Sequence, residues 1–240
     1  MPVTLLMPAT IDPGGMALTA RADPTIRLRD HCVALERWIT LRAFTRIVWC
    51  ENSGWPLEQI MPLVVKAKAA GIELELVSFR GQDFPSHLGK GFGEMGTIAH
   101  ALMHARLLTE SGHICKVSAR YFVKNAASLH RQCQQLQPAD VICDLKKNLT
   151  VADSRFFAGT TVFFRDRLIP LRPMINDSAQ IYFEHALARA AQAALGAGET
   201  WALPAELPRI VGITGTTDKP IHLSITKLLR YQFKRAMFEY

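Results

Sequence analysis

The sequence predicts an α/β protein with a mostly parallel central sheet and helices on both faces. Three observations lead to this fold class. Apolar, strand-like runs alternate with helical patterns in the order β-α-β-α-β-α-β over the first 120 residues, as expected of parallel strands joined by crossover helices. The 240 residues are enough to bury one substantial core. A content of 49% hydrophobic and 20% charged residues is ordinary for a globular protein.

The elements of the first half follow one another clearly. Leu28, Leu35 and Trp38 recur at helical spacing, and Gly71 stands where a left-handed residue would close the second helix. Pro62 falls inside that second helical pattern, so we expect it at a kink or at the helix start. The predicted elements are the strand VTLLMPAT, the helix IRLRDHCVALERWIT, the strand RIVWCENSG, the helix PLEQIMPLVVKAKAAG, the strand IELELVSF, the helix MGTIAHALMHARLLTES and the strand HICKVSARYFV.

The second half is less regular. SLHRQCQQLQ predicts a helix and ADVICDL a strand, while the Phe and β-branched residues of DSRFFAGTTVFFRDRLIPL favour strands or a hairpin. NDSAQIYFEHALARAAQAAL is the strongest late helix, with Asn176 or Asp177 as its N-cap. Prolines and glycines in LPAELPRIVGITGTTDKPIH predict a loop that leads to the final helix.

Composition indicates a reduced, cytoplasmic protein. No apolar run approaches the roughly 20 residues that span a bilayer. The N-terminal stretch MPVTLLMPATIDPGG has neither the basic start nor the cleavage site of a signal peptide. The five cysteines show no C-x-x-C spacing, and three stand in strand-like apolar runs, where a buried thiol is typical.

The net charge of +7 indicates an anionic partner. The basic residues are scattered and no nucleic-acid module is recognisable, so we expect no nucleic acid as partner. Nucleotide diphosphates and an anionic membrane surface both fit. The last segment, ITKLLRYQFKRAMFEY, mixes cations with apolar side chains in a pattern that can lie on anionic lipid at the inner face of the membrane. The alternative is a C-terminal helix packed on the body with its basic face in water.

A glycine run opens the third helical pattern. Gly91, Gly93 and Gly96 spell G-x-G-x-x-G, a dinucleotide-binding pattern when it directly follows a strand. Here SFRGQDFPSHLGK intervenes, and the next strand ends in Ala119 and Arg120 instead of an acidic residue. Because an arginine can suit a 2′-phosphate, an NADP-linked oxidoreductase stays an alternative.

Two other interpretations of the glycine run are open. Glycines at a helix start expose backbone N–H groups at its positive end, which suits any phosphate, and Lys90 and Arg120 would add charge there. The other interpretation is a glycine-rich loop before an ordinary helix. In a parallel sheet ligands bind at the carboxyl ends of the strands, so we expect the site there.

Several stretches together resemble the GT-A-fold glycosyltransferases, especially those of bacterial surface-polysaccharide (capsule and O-antigen) clusters. The resemblance covers about residues 1 to 195. It implies a GT-A-like fold with a Rossmann-type nucleotide-binding half, and transfer of a sugar from a nucleotide-sugar donor to a glycan or lipid-linked acceptor. The stretches that carry it are FTRIVWCENSG, GKGFGEMGTIAHAL, KVSARYFVKN, FFAGTTVFFRDRL and INDSAQIYFEHALAR.

The resemblance also implies a division of the chain and a set of donor-binding residues. We expect one transferase domain over residues 1–205, with a nucleotide-binding half (1–125) and an acceptor half (126–205). Residues 206–240 would then form a loop and the basic helix. The expected donor-binding residues are Glu51, Asn52, Lys90, Gly91, Gly93, Lys116, Arg120 and His222.

One departure from the family concerns the metal. The fourth strand of this fold usually ends in an Asp-x-Asp that holds Mg²⁺ or Mn²⁺, whereas this chain reads KVSARYF there. We therefore expect no metal cofactor to be required, with Lys116 and Arg120 neutralising the leaving phosphate. A divalent metal stays an alternative, and the two cations can instead form a basic edge that faces solvent. Strand alternation would place Lys116, Ser118 and Arg120 on one face.

Three carboxylates are candidates for the base that takes the acceptor proton. Asp177 is the first choice, because it stands ahead of a helix on the expected acceptor side, Glu184 is the second and Asp153 the third. Asp177 can alternatively be a plain N-cap, and Glu184 can belong to a surface pair with its neighbour. His100 and His104 have metal-binding spacing but no third ligand, so we interpret them as surface or core residues. A sugar nucleotidyltransferase is the remaining alternative, because the loop PATIDPGGMALTARAD after the first strand contains glycines and an arginine.

Overall fold

The computed structural model describes residues 2–16 and 19–238. Outside the described residues lie Met1, two residues of the loop after the first strand (Ala17 and Leu18) and the last two residues of the basic segment. The strands are β1 (Val3–Ala9), β2 (Arg46–Glu51), β3 (Glu73–Ser78), β4 (His113–Val117), β5 (Phe122–Val123), β6 (Val141–Ile142), β7 (Leu145–Lys146), β8 (Val151–Ala152), β9 (Phe156–Thr160), β10 (Trp201–Ala202) and β11 (Ile210–Val211). The α-helices are α1 (Pro24–Leu41), α2 (Met61–Ala69), α3 (Gly89–His104), α4 (Arg106–Thr109), α5 (Ala126–Cys133), α6 (Phe183–Gly196) and α7 (Ile225–Phe238).

The described residues form a central sheet of seven strands in the order β10-β6-β9-β4-β1-β2-β3. Strands β4, β1, β2 and β3 are parallel, and β10 is parallel to β6. Strand β9 is antiparallel to both of its neighbours, β4 and β6. The predicted mostly parallel α/β sheet with a C-terminal helix is confirmed.

The core lies in two layers, one on each face of the sheet. Leu5 and Met7 of β1 belong to the same buried cluster as Trp38 of α1. Leu6, between them in sequence, belongs instead to the cluster that contains Ile98 of α3. Successive side chains of a strand point to opposite faces, so this alternation places helices on both sides of the sheet.

Most of the first-half elements match their prediction closely. Gly71 has a φ of 74° and follows α2, and Pro62 lies in the first turn of that helix. The predicted fourth strand is wrong beyond Val117, because the N–H of Tyr121 turns back to the carbonyl of Ser118 (2.8 Å). Ser118 and Arg120 thus lie in a turn, and strand alternation does not relate them to Lys116.

The prediction for the segment after β9 is also wrong. The segment after β9 is helical over residues 163–174 rather than a strand or hairpin. Thr160 Oγ1 accepts the N–H of Phe163 (3.0 Å) and caps this segment, and Phe164 is fully buried beside it. The phenylalanines of this segment are buried in a helical conformation, so their number did not indicate an extended strand.

The strong late helix begins later than predicted. Helix α6 starts at Phe183, with Tyr182 as its N-cap residue. Asn176 caps a separate 3₁₀ turn (Asp177–Ala179), which ends at Gln180 in a left-handed conformation with a φ of 58°. None of the described helices is long and apolar enough to cross a membrane.

Candidate functional site

A cleft of about 340 Å³ lies at the carboxyl ends of β1, β2 and β4, where a parallel sheet usually places its ligand. The turn after β1, the start of α3, the start of α6 and the loop over residues 212–219 form its walls. Cations and carboxylates both face it. The polar residues that line it include Thr10, Arg27, His31, Asn52, Lys90, Glu94, Ser118, Arg120, Ser154, Arg155, Asp177, Tyr182, Glu184, Thr214, Thr216 and Thr217.

Two side chains of α1 hold the turn that follows β1. Arg27 is buried, and its Nε donates to the carbonyl oxygens of Thr10 (2.8 Å) and Ile11 (3.1 Å). His31 Nε2 lies 3.3 Å from the same Thr10 oxygen. Burial and the nearby charge of Arg120 lower the pKa of Arg27 to about 10, and burial and Arg27 lower the pKa of His31 to about 3. At neutral pH this wall therefore carries a charged guanidinium beside a neutral imidazole.

The end of β2 supplies one residue to the cleft and one to its support. Asn52 lines the cleft, and its Oδ1 accepts a hydrogen bond from Thr10 Oγ1 (2.7 Å). Glu51 is fully buried, and its carboxylate accepts the N–H groups of Ile11 and Trp55, both at 3.0 Å. Glu51, predicted to bind the donor, therefore holds two loops together beneath the cleft.

Lys116 lies under the cleft floor. Its ammonium is fully buried, pairs with Glu94 Oε1 at 2.6 Å and donates to the carbonyl of Ser154 at 2.7 Å. Glu94 Oε1 also accepts a hydrogen bond from Ser118 Oγ (3.0 Å). The positive charge of Lys116 is thus matched by Glu94, and the pair joins β4 to α3.

Glu184 projects into the cleft from the first turn of α6. Ser154 Oγ donates to Glu184 Oε1 at 2.6 Å. Ser154 therefore orients this carboxylate through its hydroxyl group, while its carbonyl oxygen accepts the hydrogen bond from Lys116. The following residue, His185, accepts the N–H of Tyr182 at its Nδ1 (3.0 Å) and completes the start of the helix. Glu184 is therefore held by its neighbours with one carboxylate oxygen in a defined hydrogen bond.

The Asp177 carboxylate lies at the start of α3, beside Gly89. The backbone N–H of Lys90 favours its charged form, and its Oδ2 is buried without a hydrogen-bond partner among the described residues. A Cβ on Gly89, which has a φ of 78°, would lie 2.1 Å from that oxygen, so only glycine leaves room for it. Burial raises the pKa of Asp177, an effect that the charge of Lys90 opposes.

The glycine run lies inside α3, which begins at Gly89 instead of the predicted Met95. A Cβ on Gly91 would lie 3.2 Å from the backbone nitrogen of Phe183, and one on Gly96 would lie 2.8 Å from Arg172 Nη2. The glycines thus let other segments approach the helix closely. They do not form the strand-to-helix turn that dinucleotide binding requires, so that interpretation is wrong. Gly91 and Gly93 still line the cleft.

The loop over residues 212–219 forms the rim of the cleft and was predicted only as a connection. Lys90 Nζ donates to Thr216 Oγ1, and the backbone of Gly215 packs against the guanidinium of Arg120, where a Cβ would lie 2.8 Å from Nη2. Within the described part of the chain, Arg120 Nε is buried without a hydrogen-bond partner. In the sequence, Gly215 between the threonines of TGTT was the one feature that could have indicated a close approach of this backbone to another residue.

Like Glu51 and Lys116, two further predicted site residues lie outside the cleft lining. Asp153 accepts hydrogen bonds from Lys146 Nζ and Arg155 Nε, both at 2.8 Å. Burial alone would raise the pKa of Asp153, but Arg155 and Lys146 hold it below its usual range. His222 is exposed, three residues beyond the loop of the rim.

The two histidines of α3 make aromatic contacts. The ring of His100 stacks on Phe79 with 3.6 Å between centroids, and His104 lies beside it at 4.2 Å. Among residues 2–16 and 19–238, no three His, Cys, Asp or Glu side chains are placed to share a metal ion.

The residues after β4 do not fit the divalent metal that the GT-A resemblance implies. Mg²⁺ and Mn²⁺ bind carboxylate and carbonyl oxygens. Here β4 ends with the buried ammonium of Lys116, the guanidinium of Arg120 lines the cleft in the turn that follows, and the nearby carboxylate of Glu94 is already paired with Lys116. Cations, not metal ligands, occupy this end of the strand.

No protein-family model matches the sequence, and no curated protein is significantly similar to it. Among solved structures, the galactosyltransferase LgtC in complex with donor and acceptor sugar analogues has a TM-score of 0.53 at 9% identity, covering 83% of this chain and 72% of that chain. An active-site mutant of LgtC has a TM-score of 0.51 at 10% identity over the same shares. The mannosyltransferase PcManGT from Pyrobaculum calidifontis, in complex with GDP-Man and Mn²⁺, has a TM-score of 0.47 at 12% identity, covering 98% of this chain and 60% of that chain.

The similarity to LgtC concerns the fold. The chain has a GT-A-like fold, as the sequence resemblance implied. At 9% identity this similarity assigns no donor, acceptor or catalytic residue.

Proposed function

We propose that the protein is a glycosyltransferase that moves a sugar from a nucleotide-sugar donor to a glycan or lipid-linked acceptor in surface-polysaccharide synthesis. One observation carries the proposal. The cleft at the carboxyl ends of a GT-A-like sheet combines cations near its rim, Lys90 and Arg120, with the carboxylate of Glu184. Cations suit a diphosphate, and a carboxylate suits a proton from a hydroxyl group.

In this proposal the two halves of the chain have separate tasks. Residues 1–125 bind the nucleotide through the turns after β1, β2 and β4, and residues 126–205 bind the acceptor. Support comes from the positions of Asn52 and Arg120 in the first part and of Ser154 and Glu184 in the second, around one cleft. A cytoplasmic location belongs to the same proposal.

The proposed reaction is a direct displacement. The acceptor hydroxyl oxygen forms a bond to the anomeric carbon while the bond from that carbon to the donor phosphate breaks, and the nucleoside diphosphate leaves with the electron pair. Arg120 and Lys90 stabilise the charge that develops on the diphosphate, and Glu184 takes the hydroxyl proton. Lys116 acts from below by fixing Glu94 and the backbone of Ser154.

Glu184 suits the role of base better than Asp177 or Asp153. Asp177 Oδ2 is buried against Gly89, and the backbone N–H of Lys90 acts on the same carboxylate. Asp153 is paired with two cations. The raised pKa of Asp177 would favour a base, but its carboxylate already has a structural partner at the start of α3.

The donor part of the proposal predicts protection by nucleotides. Free nucleoside diphosphates should raise the melting temperature, because a ligand that binds only the folded state stabilises it, and NADP should not. Arg120→Ala removes a charged hydrogen-bond donor from the rim, which should weaken nucleoside diphosphate binding by about 10–100-fold. Calorimetric titration of the wild type and the variant measures this change.

Arg165→Ala is the matched control, since the Arg165 side chain is exposed and pairs with the adjacent Asp166 away from the cleft. It should bind nucleotides like the wild type. If Arg120→Ala and Arg165→Ala bind nucleoside diphosphates with equal affinity, Arg120 does not bind the donor. Protection by NADP alone would replace the proposed function with an oxidoreductase.

A further inference from the structure

Helix α7 has an apolar stripe on its outer face. Ile225, Leu229, Phe233 and Met237 recur every four residues and are 78%, 59%, 71% and 64% exposed. Residues at this spacing lie along one side of a helix. Tyr231, which is only 5% exposed, lies about half a turn away from the stripe and marks the inner side. The helix thus presents apolar side chains to solvent, the reverse of an ordinary surface helix.

The inner side of α7 is fixed to the body of the protein. Tyr231 Oη donates to the carbonyl of Pro204 at 2.6 Å, and Lys234 Nζ donates to Asp144 Oδ1 at 2.6 Å. The ring of Phe238 packs edge-on against Trp201, with 5.5 Å between centroids. These contacts set the rotation of the helix, so the stripe faces outward while α7 stays docked.

The charge of α7 indicates which kind of partner the apolar stripe can bind. The helix contains Lys227, Arg230, Lys234 and Arg235 and no acidic residue, and Lys227 and Arg230 are exposed. A second copy of the chain packed face to face would bring like charges together. An anionic lipid surface offers both an apolar layer for the stripe and negative headgroups for the cations.

We infer that α7 is a membrane-docking helix that lies in the plane of an anionic bilayer, with Ile225, Leu229, Phe233 and Met237 inserted at the interface. None of the described helices can span a bilayer, so the contact is peripheral. Because only residues 220–224 separate the rim of the cleft from α7, docking would bring the cleft close to the membrane, where a lipid-linked acceptor would be presented. That last consequence rests on the proposed function, whereas membrane docking does not.

The test is flotation of the purified protein with vesicles. The wild type should float with vesicles that contain phosphatidylglycerol and remain behind with pure phosphatidylcholine, and salt should weaken binding. Leu229→Ser with Phe233→Ser should lower the partition coefficient about tenfold or more. Removing one exposed charge by Lys227→Ala or Arg230→Ala should lower it about fivefold.

The matched control is Val65→Ser with Met103→Ser, two apolar residues that are 68% and 69% exposed on α2 and α3. This variant should float like the wild type. Equal flotation of both double variants, equal binding to neutral vesicles, or no flotation of the wild type would overturn the inference. Sedimentation that shows a dimer dissociated by the α7 variant, without vesicle binding, would overturn it in favour of a second copy. Nucleotide binding is measured separately, so its failure would leave this result unaffected.

Discussion

Glu184→Gln is expected to lower turnover by about 10²–10⁴-fold, the usual contribution of a general base. The amide keeps the size of the side chain and still accepts the hydrogen bond from Ser154. It cannot take a proton from the acceptor hydroxyl. Donor affinity and melting temperature should therefore stay near their wild-type values. Steady-state rates with saturating donor and acceptor, together with calorimetric titration of the nucleotide, measure the two effects separately.

Asp177→Asn is the comparison variant for Glu184→Gln. Asparagine keeps the size of the side chain beside Gly89, and its oxygen can still interact with the Lys90 N–H. A modest change in turnover is expected. The opposite pattern, with full activity in Glu184→Gln and a large loss in Asp177→Asn, would make Asp177 the base. Activity retained in both variants would point to a mechanism without either carboxylate.

Lys116→Met is expected to destabilise the fold by about 3–5 kcal/mol, because it leaves the Glu94 carboxylate unpaired in a largely buried position. For a chain of this size the melting temperature should fall by roughly 6–20 °C. Thermal unfolding followed by circular dichroism measures the change. The Lys116 ammonium is fully buried, so the effect should be present without any ligand.

The double variant Glu94→Gln with Lys116→Met distinguishes two roles of Lys116, its ion pair with Glu94 and a direct contact with the donor. Replacing both partners removes the unpaired charge, so most of the lost stability should return. The double variant should also bind nucleoside diphosphates nearly as well as the wild type. A double variant that is stable but binds nucleotide poorly would show that the charge of Lys116 acts on the donor.

The central sheet could be predicted because its information is local. Strand and helix periodicity in the first 120 residues needs no distant partner, and Gly71 and Pro62 mark helix ends by their own backbone preferences. The same local information failed for Phe163 and Phe164. Both are buried, and a buried aromatic residue suits a helix and a strand alike.

The position of the candidate cleft was predictable, and the contacts around it were less so. A parallel sheet binds its ligand at the carboxyl ends of its strands, and Asn52 and Arg120, which follow two of those ends, line the cleft. Glu51, Lys116 and Asp177 contact Ile11, Glu94 and Gly89, respectively, in other segments of the chain. No spacing in the sequence indicates such contacts. For the same reason the rim loop was predicted only as a connection.

The identity of the reaction products tests the proposed glycosyltransferase most directly. The purified protein would be incubated with a panel of nucleotide sugars and glycan or lipid-linked acceptors, and the products would be identified by mass spectrometry. We predict release of a nucleoside diphosphate together with an acceptor enlarged by one sugar, and loss of both products in Glu184→Gln. If no nucleotide sugar yields these products, while a nucleoside triphosphate and a sugar phosphate yield pyrophosphate, the protein is a sugar nucleotidyltransferase and the proposal is contradicted.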